Sequence, residues 1–178
     1  MSKQWGDYTQ TVLGKRFLIK DFIVEKKKQP GVFDRCIIFG SDIGLTVLAK
    51  SRRWYSDGTF KTAPPQFQQV YIIQAKYKGK MIPCIFGLLT GKTEEVYKAM
   101  IHEIKTACLV IGVEAKPELV LTDFEQAIIK AFTFHFPSKK MLQAYPNIAA
   151  PHARSKISYL RFQYQDVIDL SMHLHRII

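Results

Sequence analysis

The apolar positions of this chain fall first into short β-type runs and then into two helical patterns. Residues Arg53 to Thr62 are rich in aromatic and hydroxyl side chains and end shortly before Pro64-Pro65, which is typical of a strand that runs into a turn. Val70 to Lys78 and Met81 to Thr90 form two further β-type runs. Because only the short link Gly79-Lys80 separates these runs, they are predicted to pair as a hairpin.

Apolar side chains then recur at helical spacing. Thr93 can cap the start of a helix that has Glu94 and Glu95 in its first turn, where negative charge suits the helix dipole. Gly112 is suited to the C-terminal end of the same helix. The face predicted to point inward comprises Val96, Met100, Ile101, Ile104, Cys108 and Ile111.

A short buried strand and a second helix follow in the sequence. The strand is predicted over Glu118 to Thr122 and the helix over Phe124 to Phe136. The inward positions of this helix are Ala127, Ile128, Ala131 and Phe132. The resulting order, β-β-β-α-β-α, predicts an α/β fold with a mixed sheet, antiparallel at first and then parallel, and with helices on its faces. This is the opening order of a ribonuclease H-like fold, and the pattern is incomplete at the C-terminus.

The predicted core is flanked by two segments of different character. Residues 1–48 form a basic N-terminal lead-in, with a short helix predicted to start at Ser41-Asp42, and this segment is expected to pack beside the core. Residues 49–137 form the core itself. Beyond Pro137 the periodicity weakens, and residues 138–178 are predicted to be a divergent tail, as a frameshift or a mis-spliced exon would produce.

Charge favours a polyanionic partner. The chain of 178 residues carries 26 Lys and Arg against 15 Asp and Glu, a formal net charge of +11, and the excess lies in the two flanks. Such a balance favours nucleic acid, although basic surfaces also occur in proteins that bind none. The three cysteines form no paired framework and no apolar run reaches the length of a membrane span, so a soluble intracellular protein without membrane contact is expected.

Asp57 is the first candidate for chemistry. It lies in the middle of the first predicted strand, with Tyr55 and Thr59 on the same face, and Gly58 beside it leaves room for a close approach. A carboxylate within a sheet is unfavourable unless it is paired or binds a cation. The alternative is an aspartate on an edge strand that faces water.

Asp123 is the second candidate, because it stands where the fourth predicted strand ends and a helix begins. Ligands often collect at such positions in open α/β sheets. The alternative is structural: Thr122 and Glu125 have the spacing of a capping box, and an aspartate at a helix start can serve as a cap.

The two aspartates are more informative together than separately. In the predicted strand order the first and fourth strands lie side by side, so the carboxylates of Asp57 and Asp123 would face each other. Acids of this kind hold pairs of divalent ions about 3.5–4 Å apart in phosphodiester-cleaving enzymes. Ligands that are all oxygen favour Mg²⁺ or Mn²⁺.

Three blocks of sequence resemble the Mutator-like element (MULE) transposase domain. They are Trp54-Tyr-Ser-Asp-Gly-Thr-Phe-Lys-Thr-Ala-Pro64, Gly87-Leu-Leu-Thr-Gly-Lys-Thr-Glu-Glu-Val-Tyr97 and Thr122-Asp-Phe-Glu-Gln-Ala127. The likeness runs from about Phe39 to Pro137. It implies a ribonuclease H-like core with an Asp-Asp-Glu triad, in which Asp57 and Asp123 are the catalytic, metal-binding first and second acids. It also implies metal-dependent cleavage of DNA ends and their transfer into new DNA.

The chain departs from the family pattern after Pro137. Members usually continue into a strand with a Cys and His pair, a helical insertion and the catalytic glutamate, but here no cysteine follows Cys108 and no glutamate follows Glu125. We therefore expect a transposase-derived domain, nuclear and catalytically impaired. The alternatives are a non-catalytic DNA-binding or protein-interaction module recruited from a transposon, and a translated relic without a role.

Several basic residues are candidates for contacts with DNA phosphates. A homo-oligomer is also a possible assembly. Short charge runs are usually solvated surface, so the structural alternative holds for each of them. The DNA-binding candidates are Lys26, Lys27, Lys28, Arg52, Arg53 and Lys61. His135, His173 and His175 are expected not to bind metal, because no cysteine or carboxylate has a convincing spacing to them.

Overall fold

A computed structural model describes residues 9–11, 14–59, 63–123 and 125–143 of the chain. Seven strands and three helices account for most of these residues. The strands are β1 (Leu18–Lys26), β2 (Gln29–Phe39), β3 (Arg53–Thr59), β4 (Gln69–Tyr77), β5 (Lys80–Leu89), β6 (Leu119–Thr122) and β7 (Lys140–Gln143). The helices are α1 (Asp42–Lys50), α2 (Glu94–Val110) and α3 (Gln126–His135).

All seven strands belong to one sheet, in the order β1-β2-β5-β4-β3-β6-β7. The first five strands of this order pair antiparallel, and β6 and β7 add to β3 in parallel. The mixed sheet predicted from the pattern is therefore present, antiparallel first and parallel afterwards. Parallel neighbours require crossover connections, and here α2 lies between β5 and β6 and α3 lies between β6 and β7.

The three helices pack on the same face of the sheet, whereas helices on both faces had been expected. The main core joins residues of all three helices to every second residue of the central strands. The opposite face carries a smaller apolar cluster of buried residues, namely Ile37, Phe39, Phe67, Val70, Ile72 and Leu88. The sheet is therefore apolar on both faces through its centre.

Helix boundaries follow the capping chemistry of the sequence. Ser41 accepts a hydrogen bond from the Gly44 amide at the start of α1 (3.0 Å), and Thr93 accepts one from Val96 at the start of α2 (3.4 Å). Gly112 follows α2 with φ +77°, a conformation that glycine adopts without strain. These three predictions from the sequence are confirmed.

Helix α3, which the sequence predicted from Phe124, begins later than predicted. Its first residue is Gln126, and Glu125 occupies the N-cap position without a capping side-chain hydrogen bond. The proposed capping box of Thr122 and Glu125 is therefore wrong. The hairpin turn is also displaced by one residue, because Lys78 and Gly79 both have positive φ and form the turn between β4 and β5.

The sheet is larger at both ends than the sequence pattern indicated. The lead-in was expected to pack beside the core, but β1 and β2 extend the sheet itself, and Cys36 to Phe39 are fully buried. At the other end, β7 follows Pro137 and pairs with β6 from Leu119↔Lys140 to Thr122↔Gln143.

The described part of the chain contains no helix long and apolar enough to span a membrane.

Candidate metal-binding site

The parallel pairing of β3 and β6 positions the two candidate acids. The ladder runs from Arg53↔Leu119 to Tyr55↔Leu121. If this register is extended by two residues, Asp57 falls beside Asp123, which directly follows the last residue of β6. The adjacency of the first and fourth predicted strands, on which the pairing of the acids depends, is therefore present.

The pKa of Asp57 is raised, and the neighbouring second acid is one of the causes. Burial raises the pKa of Asp57, and the negative charge of Asp123 raises it further, while a hydrogen bond from the Gly58 backbone opposes both effects. Asp57 keeps solvent-exposed surface at this end of the sheet. Two carboxylates at adjacent strand ends, one of them accessible to solvent, form a site that a cation can stabilise.

Both structural alternatives for the two acids can be compared with the fold. β3 lies between β4 and β6, so Asp57 is not on an edge strand, although its side chain does reach solvent. α3 begins at Gln126 with Glu125 as its N-cap, so Asp123 does not occupy the capping position.

A buried hydroxyl network lies directly beneath the acids. The Tyr71 hydroxyl lies 2.9 Å from Oγ of Ser56 and 3.1 Å from Oγ1 of Thr122, and its single proton can serve one of these two contacts at a time. Oγ1 of Thr122 in turn donates to Oδ1 of Asp123 (3.3 Å). Ser56 and Thr122 immediately precede the two acids in the sequence, so the network contacts both strand ends.

A third carboxylate, that of Glu125, lies near this end of the sheet. Burial raises its pKa, with a smaller contribution from Asp123, while Lys92 and a hydrogen bond from the Tyr97 hydroxyl (3.2 Å) oppose the increase. Tyr97 also accepts a hydrogen bond from the amide of Gln69 (2.6 Å). Sequence reasoning treated Glu125 only as a capping residue, and no signal in the chain pointed to its contact with Tyr97.

Lys26, Lys27 and Lys28 lie at the β1–β2 turn and line a groove of about 440 Å³. Gln29 of β2 and residues from the N-terminal halves of α2 and α3 form the rest of its lining, among them Thr93, Glu94, Ala127 and Lys130. Because α3 starts shortly after Asp123, the groove lies at the same end of the sheet as the acids.

Not all of the groove's charge is available to a ligand. The Lys26 ammonium group forms an ion pair with the buried carboxylate of Asp34 (3.2 Å), and Lys130 lies 3.9 Å from Glu94. Lys27 and Lys28 are exposed in the turn. These two residues are therefore better placed for a phosphate contact than Lys26.

The remaining predicted cations are distributed differently. Arg52 and Arg53 are exposed at the start of β3, about 13 Å along the strand from Asp57, and Arg52 pairs with Glu118 (3.4 Å). Lys61 lies outside the described residues.

The histidines were expected not to bind metal. His135 ends α3 and its Nε2 lies 2.8 Å from the carbonyl oxygen of Lys98. His173 and His175 lie outside the described residues.

Within the ranges that the structure describes, no group of three or more His, Cys, Asp and Glu is arranged to hold a metal ion. The candidate site there consists of the Asp57 and Asp123 pair.

The family model of the MULE transposase domain matches residues 53–149, which is more than half of the chain. The chain belongs to the MULE transposase family. The match begins at the first residue of β3, includes both aspartates and extends beyond β7. It thus begins and ends later than the likeness predicted from the sequence, and it includes residues 138–149 of the segment predicted to be a divergent tail.

A comparison with curated proteins finds no match to this MULE chain. Membership of the family therefore depends on the family model. In the structure, the matched region contains the strands β3 to β7 and the helices α2 and α3.

Proposed function

We propose that this chain is the ribonuclease H-like core of a transposase, ancestrally a metal-dependent enzyme that cleaves DNA strands and transfers them during transposition. The observation that carries the proposal is the parallel pairing of β3 and β6, which brings Asp57 and Asp123 to the same end of the sheet. Membership of the MULE family supports DNA as the substrate.

The topology of the matched region supports the ribonuclease H-like part of the proposal. β3, β4 and β5 form an antiparallel meander, and α2 then crosses to β6, which adds in parallel beside β3. α3 crosses to β7, which adds beside β6. The first strand of the matched region is thus central and carries Asp57, as the predicted arrangement requires.

The residues at the site fit a divalent cation. Asp57 and Asp123 supply carboxylate oxygens, the ligands that Mg²⁺ and Mn²⁺ prefer. Burial and the charge of Asp123 both raise the pKa of Asp57, and a bound cation would favour its ionised form. Asp57 and Asp123 would hold the ion, which would activate a water or 3′-hydroxyl nucleophile and stabilise the leaving oxygen of a phosphodiester.

The protein's own groups would orient the DNA relative to the acids. Lys27 and Lys28 lie at the groove beside the start of α3 and would contact phosphates as exposed cations. The Tyr71 network beneath the strands would hold the two acids in position. No glutamate follows Glu125 in this sequence, so the chain supplies two acids of the family's triad. We therefore propose that by itself it cleaves DNA weakly or not at all.

A nicking assay tests the enzymatic part of the proposal. Supercoiled plasmid would be incubated with the full chain and Mn²⁺, and nicked product would be quantified for the wild type, Asp57→Asn and Asp123→Asn. Asp42→Asn is a matched control, because Asp42 is an exposed acid at the start of α1 that pairs with Arg16. We expect any wild-type nicking to vanish in both site variants and to persist in the control. Measurable nicking that is equal in all four proteins would refute the assignment of the site.

The second candidate function is a recruited, non-catalytic DNA-binding module in the nucleus. The basic groove at the β1–β2 turn and the net charge of +11 favour it. A salt titration of duplex binding tests this candidate, since each phosphate contact contributes a slope of about −0.9 to log affinity against log salt. Lys27→Ala with Lys28→Ala should reduce the slope by about two, whereas Lys116→Ala, on the loop before β6, should leave it unchanged. Binding without salt dependence would exclude phosphate recognition.

A further inference from the structure

Tyr71 links the two strands that carry the acids, although it belongs to a third strand. Its hydroxyl, fully buried on β4, lies 2.9 Å from Oγ of Ser56 in β3 and 3.1 Å from Oγ1 of Thr122 in β6. Thr122 then donates to the carboxylate of Asp123 (3.3 Å). A single hydroxyl therefore contacts the residue directly before each acid.

The network begins where the backbone ladder between the two strands ends. The last paired residues of β3 and β6 are Tyr55 and Leu121. Beyond them, β3 stays paired with β4 as far as Thr59, and Thr122 of β6 stays paired with Gln143 of β7, so each end is held on its outer side. Between the two ends the β3–β6 ladder has no further rungs, and there the hydroxyl of Tyr71 spans from one strand to the other.

We propose that Tyr71 is a positioning residue, whose hydroxyl holds Asp57 and Asp123 close enough to share one divalent cation. This inference rests on the proposed metal site. Tyr71 does not contact the cation and acts through Ser56 and Thr122. Its ring packs against Tyr97 with centroids 5.4 Å apart, so phenylalanine at position 71 keeps the packing and removes only the hydroxyl.

Mn²⁺ affinity is the first test, measured on the full chain by the loss of the electron paramagnetic resonance signal of free Mn²⁺. We expect Tyr71→Phe to weaken binding about two- to tenfold, because the lost hydroxyl contacts to Ser56 and Thr122 act on the ion only through the acids. Asp57→Asn should abolish site binding. Ile104→Val is the matched control, because it trims a fully buried side chain of α2 and lowers stability without touching the network. The control should therefore keep wild-type affinity.

Amide hydrogen exchange without metal is the second test, and it separates the inference from the proposed function. Tyr71→Phe should accelerate exchange at Asp57 and Asp123 relative to the core of α2, whereas Ile104→Val should not. If Asp57→Asn binds Mn²⁺ as the wild type does, the metal site is refuted, but faster exchange in Tyr71→Phe would still support the positioning role. Unchanged exchange and unchanged Mn²⁺ affinity in Tyr71→Phe would overturn the inference.

Discussion

Replacing Gly58 with alanine tests how closely β3 and β4 pack beside the candidate site. A Cβ atom at this position would lie 2.5 Å from Oε1 of Gln69 and 3.4 Å from the ring of Tyr71, and the first separation is too short for real contacts. Gln69 is fully buried, and its amide nitrogen donates to the Tyr97 hydroxyl (2.6 Å) and to the Gly91 carbonyl (3.4 Å). The added methyl group must therefore displace the amide and weaken both bonds.

The expected destabilisation combines two terms. Disrupting buried hydrogen bonds costs about 1–3 kcal/mol, and overpacking by one methyl group costs a further ~1–3 kcal/mol. We expect Gly58→Ala to lower the free energy of unfolding by about 2–6 kcal/mol, which is a decrease in Tm of roughly 5–25 °C. Thermal and urea unfolding of the full chain would measure it.

A double-mutant cycle identifies the clash as the cause. Gln69→Ala removes the displaced amide and should itself destabilise the protein, since it empties a buried position. In the presence of Gln69→Ala, however, Gly58→Ala should cost less than about 1 kcal/mol, because the methyl group then meets no amide oxygen. Additive effects of the two substitutions would refute the contact.

Three further predictions concern charge, capping and protonation. Asp57→Asn should stabilise the metal-free protein, because it removes the repulsion between Asp57 and Asp123. It should also remove the increase in Tm caused by Mn²⁺. A lower Tm of the metal-free variant than of the metal-free wild type would contradict the first expectation. Thr93→Ala should lower the free energy of unfolding by about 2–3 kcal/mol, because it loses the cap of α2 and the donor to buried Asp34 (2.8 Å), whereas Thr93→Ser should retain both. Burial lowers the pKa of His135 below its usual 6.5, so its contribution to stability is complete above pH 6.5 and is lost as the pH falls below it. His135→Gln should therefore lose less stability than the wild type between pH 7 and pH 5 in thermal unfolding, and parallel curves would contradict this.

The elements with strong periodicity were predictable from the sequence. α2 was anticipated with its cap at Thr93, its terminal glycine and its inward face, since a helix of this length repeats its apolar spacing several times. The hairpin of β4 and β5 followed from two apolar runs and a short link. In both cases local sequence and tertiary packing favour the same structure.

The elements that were missed depend on tertiary partners. β7 has four residues and acquires its strand conformation by pairing with β6 beyond Pro137, where the chain shows little alternation. β1 has a mixed exposure pattern without a fully buried residue, and it is stabilised by its antiparallel ladder with β2 and by half-buried Ile19 and Phe22, which pack against the main core. A strand of four residues is too short for periodicity to identify it, and a longer edge strand with mixed exposure lacks the regular alternation that would identify it.

The candidate site shows the same division between local and long-range information. Asp57 and Asp123 could be predicted as a pair because the order of elements alone places their strands side by side. Tyr71 could not, because β4 is buried on both faces and its apolar run hides which residue directs a hydroxyl towards β3 and β6. Identifying Tyr71 requires the register of β3 and β4, in which Tyr71 pairs with Gly58. A shift of this register by one residue would direct the hydroxyl to the opposite face of the sheet. The acids therefore follow from topology, whereas the group proposed to hold them follows only from register.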